Sequence, residues 1–115
     1  MAEKPKKEIE IEVTEKTFNE KVIKQSEKKP VVADFFAEWC MPCVMMGPII
    51  DELSEKFKRT IRFGKVNVED NKGLAEKFDV RSIPNFVLFK DGRMLDNFIG
   101  GMSSEELEEK LNKHL

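Results

Sequence analysis

The sequence predicts an α/β domain on a mixed central sheet, with its elements in the order β-α-β-α-β-α-β-β-α. Three observations carry that prediction. As far as Phe78, apolar runs of strand length alternate with stretches of helical periodicity, an order that favours parallel pairing through right-handed crossovers. Beyond it, Asn85-Phe86-Val87-Leu88-Phe89 and Met94 to Ile99 flank Lys90-Asp91-Gly92-Arg93, and the Asp-Gly pair signals an antiparallel hairpin. Ser103-Ser104-Glu105-Glu106 then has the form of a capping box and opens a last helix.

Taken in order, Met1 to Lys7 reads as a charged, frayed tail, with the domain running from residue 8 to residue 115. Glu8-Ile9-Glu10-Ile11-Glu12-Val13 alternates cleanly, the pattern of a strand with one wet face whose glutamates discourage edge pairing. Thr14 is placed to cap a helix from about Glu15 to Ser26, with Phe18, Val22 and Ile23 facing inward. Val31 to Phe36 is short, β-branched and aromatic, and is bounded by Pro30, so it reads as a strand buried on both faces. Val44, Ile49, Leu53 and Phe57, with Asp51, Glu52, Glu55 and Lys56 opposite, mark an amphipathic helix, and Pro48 inside it predicts a kink. Ile61 to Val68 is the third strand. Asp70-Asn71 is placed to cap a short helix through Phe78 that carries Leu74 and Ala75 inward, and Leu107, Leu111 and Leu115 form one stripe on the last helix.

Composition narrows the function classes. At 115 residues, 40% apolar and 37% charged, the chain is a single globular domain rather than a disordered one. Its net charge of −2 offers no basic field for nucleic acid. Met1 to Glu12 contains no apolar core of a signal peptide, and no stretch approaches the length of a membrane span, so a cytoplasmic protein is expected. Two cysteines are too few for a secreted disulfide scaffold.

Those cysteines, Cys40 and Cys43, stand where the buried strand hands over to a helix, with Pro42 at an early helical position that tolerates a missing N–H. Unpaired N–H groups and the helix dipole favour an anion there, and the thiolate is the reactive form of cysteine. Residues three apart on a helix have Cβ atoms about 5–6 Å apart, whereas a disulfide needs about 3.5–4.5 Å. A small adjustment of the first turn closes that gap, so the pair can cycle between dithiol and disulfide. Structural zinc wants four ligands, and one chain offers two cysteines and His114 only. A dimer pooling two pairs would supply four thiolates, which leaves a metal-sharing binding module as an alternative.

Asp34 is the one charge in an apolar strand, and burying an ionised carboxylate is expensive. Burial raises its pKa, which suits a group kept for proton transfer; a core ion pair is the alternative. Pro84 at the first position of a strand is acceptable on structural grounds alone. Trp39 fits either the core or a contact surface beside the cysteines.

Trp39-Cys40-Met41-Pro42-Cys43 after Asp34-Phe35-Phe36-Ala37-Glu38, followed by Ile83-Pro84 and Phe98-Ile99-Gly100-Gly101, resembles the thioredoxin family over Thr14 to His114. The resemblance implies a thioredoxin fold, a mixed sheet with helices on both faces, and thiol–disulfide oxidoreductase activity. On that basis Cys40 is similar to the exposed attacking cysteine, Cys43 to the buried resolving one, Asp34 to the buried acid and Lys65 to its partner. Pro84 is similar to the family's cis-proline. Trp39, Met41, Pro42, Ile83, Pro84 and Gly100 would line a groove for an extended substrate segment. The expected partners are disulfide-containing proteins and a thioredoxin-reductase-type electron donor. A monomer without cofactor or metal, binding neither nucleic acid nor membrane, is expected.

The sequence departs from the family pattern at Met41, Val44, Phe36 and Asn85, where Gly, Lys, Trp and Thr are usual. Val44 removes a cation from the helix start, which leaves Cys40 less acidic. Met41 adds a polarizable apolar side chain at the mouth of the site. A disulfide oxidant or isomerase on the same scaffold is the rival reading, and a reducing cytosol argues against it.

Overall fold

The computed structural model describes residues 10–115; the charged tail and the first two positions expected in the opening strand lie outside them. Five strands form one sheet in the spatial order β1-β3-β2-β4-β5. They are β1 (Glu10–Glu12), β2 (Val31–Phe36), β3 (Arg62–Asn67), β4 (Asn85–Lys90) and β5 (Arg93–Ile99). β1 and β2 each pair parallel with β3, while β4 lies antiparallel to both β2 and β5, so the sheet is mixed as the element order requires. Asp91 and Gly92 both take positive φ, +55° and +84°, the paired left-handed conformations that match a two-residue turn to strand twist.

Alternation along the strands divides the interior into two cores. Val32, Phe63, Phe86 and Leu88 project to one face and pack with Met46, Ile50 and Leu53 of α1 (Met41–Lys56) and Leu107 and Leu111 of α3 (Ser104–Asn112). Val31, Ala33, Phe35, Val66, Val87 and Phe89 project to the other and meet Phe18, Val22 and Leu74, the last on α2 (Lys72–Lys77). Helices therefore cover both faces.

That double cover narrows one expectation. The glutamate face of β1 is wet at Glu12, which is exposed, but Glu10, in register with Phe63 on the α1 side, is half-buried with one carboxylate oxygen out of reach of solvent. Clean alternation identifies two faces, but only the packing decides which of them meets water.

The helices differ in detail from their sequence patterns. The segment expected as one helix from Glu15 to Ser26 is a π-turn over Asn19–Ile23 followed by a 3₁₀ turn over Gln25–Glu27. Phe18 and Val22 are buried as expected, so the apolar anchors survive while the hydrogen-bond ladder does not. Thr14 gives it no side-chain cap; its hydroxyl instead lies 3.3 Å from that of Thr17. α2 is capped from outside, since Glu15 Oε2 accepts the Gly73 N–H at 2.7 Å, and Asn71 spends its side chain on Glu15 N–H and Asn67 C=O. Ser103 accepts the Glu106 N–H at 3.1 Å, as the capping box predicts, but Leu115 lies past the end of α3 and is exposed. α1 runs unbroken through Pro48, and Val44 in its first turn is exposed, leaving Met46, Ile50 and Leu53 to fill the core.

Candidate redox site

β2 ends at Phe36, and a short connection delivers Cys40 as the N-cap of α1. Met41 and Pro42 occupy the first two helical positions, where the ring's missing N–H costs nothing. Cys43 closes the first turn. The two cysteines are joined in a disulfide with their Cα atoms 5.2 Å apart, so the expected intrachain link is formed. Cys40 Sγ accepts the backbone N–H of Cys43 at 3.2 Å and lies 3.9 Å from the Ile83 carbonyl oxygen. The N–H contact is an unpaired helix donor aimed at the sulfur, which stabilises that sulfur as an anion once the disulfide opens.

Exposure reverses what the resemblance implied. Cys40 is only 4% exposed, whereas Cys43 is half-buried. The N-cap position tucks Cys40 against the loop that carries Ile83, while Cys43 opens onto a cavity beneath the helix start. Accessibility alone thus does not mark the attacking sulfur in this state.

The cavity, about 270 Å³, is lined by Glu10, Asp34, Ala37, Cys43, Val44 and Lys65 among others. Asp34 and Lys65 are register partners on β2 and β3 and project to the same face. Among the described residues no nitrogen–oxygen approach within 4.0 Å joins them, so a contact ion pair does not account for Asp34. Burial pushes the Asp34 pKa well above its ordinary value, the negative charge of Glu10 and a hydrogen bond with Glu10 push it further, and Lys65 opposes them. Glu10 is raised too, chiefly by burial; Lys65 works against that, Asp51 adds to it, and the hydrogen bond with Asp34 lowers it. Glu10 Oε2 and Asp34 Oδ1 have no donor among the described residues, because two carboxylates offer each other only acceptors.

Glu10 is the site residue that sequence reasoning missed. Alternation between apolar neighbours does not by itself distinguish a glutamate facing water from one turned under a helix.

The expected groove residues come together unevenly. The Ile83–Pro84 peptide is cis, as the resemblance implied. Gly100 N–H donates to the Pro84 carbonyl at 2.8 Å and takes φ +97°, a conformation that L side chains resist. That bond ties the end of β5 to the loop facing the cysteines. Trp39 and Met41 are 67% and 64% exposed, Pro42 is exposed, Ile83 and Gly100 are half-buried and Pro84 is buried. Trp39 is therefore surface, not core, and its indole N–H donates to Glu69 Oε2 at 2.6 Å, fixing the ring beside the disulfide. Val44 and Met45 extend the exposed apolar rim. His114 lies at the other end of the chain, 2.9 Å from Asp96 Oδ2.

Among the described residues no group of three or more His, Cys, Asp or Glu side chains is placed to hold a metal, and no helix is long and apolar enough to cross a membrane.

A family model described as Thioredoxin matches residues 9–113. Thioredoxin 1 of Synechococcus elongatus is 38% identical over 103 residues, which span 90% of this chain and 94% of that protein. Thioredoxin of Porphyra purpurea is 38% identical over 104 residues, 90% of this chain and 95% of the relative. Thioredoxin Y2, chloroplastic, of Arabidopsis thaliana is 41% identical over 91 residues, 79% of this chain and 54% of the plant protein.

Proposed function

The chain belongs to the thioredoxin family and is a thiol–disulfide oxidoreductase of the protein-disulfide reductase type, and from that premise we propose how its residues divide the work. Cys40 is the attacking sulfur. Its thiolate displaces one sulfur of a substrate disulfide and forms a mixed disulfide, releasing the other as a thiol. Cys43 loses its proton to Asp34 across the shared cavity, attacks Cys40 Sγ, and expels the reduced substrate. A separate reductase of the thioredoxin-reductase type then restores the dithiol.

The observation that carries the assignment is the Cys43 N–H aimed at Cys40 Sγ, with Asp34 on the Cys43 side. It gives the two sulfurs different surroundings: one favours an anion, the other faces a proton acceptor. Lys65, the register partner of Asp34 on β3, acts on it through space as a balancing charge. Trp39, Met41, Pro42, Ile83, Pro84 and Gly100 hold the substrate segment.

Val44 favours the reductive direction. With no cation at that position the Cys40 thiolate is less stabilised, and a less stable dithiol form is a better electron donor. Both cysteines, Asp34 and the cis-proline come from one chain, so a monomer suffices. A cytoplasmic setting, where thiols are kept reduced, suits such a donor.

Reduction of insulin disulfides tests the assignment. Cys40→Ser abolishes turnover, whereas Cys43→Ser accumulates a mixed disulfide on Cys40 that peptide mapping locates. Equal residual activity in both variants would contradict it.

A further inference from the structure

We propose that Glu10 is the solvent-side half of a two-carboxyl proton relay, sharing one proton with Asp34 and so setting the state in which Asp34 receives the proton of Cys43. The proposal rests on the reading of Asp34 as the acceptor.

Glu10 brings a carboxyl group into a half-buried position. It sits on the edge strand β1 but projects to the α1 side of the sheet, where its neighbour in register is Phe63, a core residue. An apolar side chain there would cost no desolvation. Glu10 instead lines the same cavity as Asp34 and Cys43, and each carboxyl group leaves one buried oxygen without a donor. The charged groups facing the pair are Lys65 from β3, Asp51 from α1 and Glu38 from the β2–α1 connection. One cation against several acids leaves the pair with a surplus of negative charge, which holding a single proton reduces. Asp34 is the deeper of the two groups, and Glu10 is the one nearer solvent.

With the shared proton on Glu10, Asp34 is a carboxylate. The Cys43 S–H bond breaks, its proton passes to Asp34, and the sulfur electron pair attacks Cys40 Sγ. The Cys40–Cys43 bond forms, the bond from Cys40 to substrate sulfur breaks, and the substrate leaves as a thiolate with that electron pair. Both carboxyls are then protonated, and Glu10 releases one proton to water.

Glu10→Gln keeps the side-chain shape and removes the charge. Two readouts test it: an NMR titration of the Asp34 carboxyl in the oxidised protein, and a single-turnover reaction of the reduced protein with a symmetrical aromatic disulfide. That reagent releases one coloured thiolate on Cys40 attack and a second on Cys43 resolution. In Glu10→Gln the Asp34 midpoint moves to lower pH, since a raising charge is gone, and the second release slows roughly five- to tenfold while the first is unchanged. In an Asp34→Asn background, already slow, adding Glu10→Gln changes the second release by less than about twofold, because both residues serve one path. An unmoved Asp34 midpoint, an unslowed second release, or an equal slowing in the Asp34→Asn background overturns the relay and leaves Asp34 its role. If Asp34→Asn alone resolves as fast as the parent, the reading of Asp34 fails, and the relay with it.

Discussion

The two faces of the sheet are built from alternate residues of the same strands, yet they bury different chemistry. On the face under α2, Ala33, Phe35, Val66, Val87 and Phe89 meet Phe18 and Leu74 without a charge among them. Phe18, Phe78 and Phe89 pack with ring centroids 5.1 to 5.5 Å apart. On the face under α1, Phe63, Phe86 and Leu88 are equally dry toward α3, but Asp34, Glu10 and Lys65 interrupt the pattern beneath the cysteines. A shift of one residue along β2, from Ala33 to Asp34, crosses from one regime to the other. The dry face holds the domain together, and the interrupted one gives up stability to keep titratable groups beside sulfur.

Separating these two costs by mutation sharpens the contrast. Phe89→Ala, on the dry face, removes a ring packed edge-on against two others and should cost about 3–5 kcal/mol in urea unfolding, with turnover per folded molecule unchanged. A lost reductase rate at full folding would break the separation.

Asp34→Asn should do the opposite: slow resolution yet raise stability. The folded Asp34 pKa lies above its unfolded value, so the folded state binds more protons between the two. That contribution to stability is full below the unfolded pKa and is lost as pH rises through the folded one. The variant's advantage therefore grows as the pH rises from the unfolded pKa through the folded one and reaches on the order of 1–3 kcal/mol once the parent must bury the anion. Denaturation across the pH range checks it, and a constant difference would show that ionisation is not the cause.

Ser103→Ala removes the α3 cap that helps seat Leu107 and Leu111 on the dry part of the α1 face. It should cost about 1 kcal/mol in the same unfolding experiment and leave the sulfur chemistry alone. Smallest in energy is Val44→Lys, which places a cation in the first turn of α1. It should stabilise the Cys40 thiolate by about 0.3–1 kcal/mol and raise the reduction potential of the pair by roughly 6–20 mV against a glutathione buffer. A fall in potential would contradict the electrostatic reading of that position.

Much of this arrangement was legible in the sequence. Asp91-Gly92 declared the hairpin, Ser103-Ser104-Glu105-Glu106 the last helix, and the two cysteines after an apolar strand the redox site. What escaped was set by contacts distant along the chain. Glu15 caps α2 from 58 residues away, replacing the local cap that Asp70-Asn71 suggested. Glu10 looked like a wet-face glutamate because β1 alternates, and only the packing of α1 over that face buries it. The segment after Thr14 kept its buried Phe18 and Val22 but not a regular helix, since anchoring to the sheet outweighs the local ladder.

Cys40 and Cys43 pose the sharpest conflict between exposure and electrostatics, because the more exposed cysteine is not the one assigned to attack. Alkylation of the reduced protein with a limiting amount of iodoacetamide at neutral pH, followed by peptide mapping, sets the two against each other. An N–H-stabilised thiolate at Cys40 predicts modification there at least about ten times faster than at Cys43. Equal rates, or faster modification of Cys43, would contradict the division of labour between the two sulfurs.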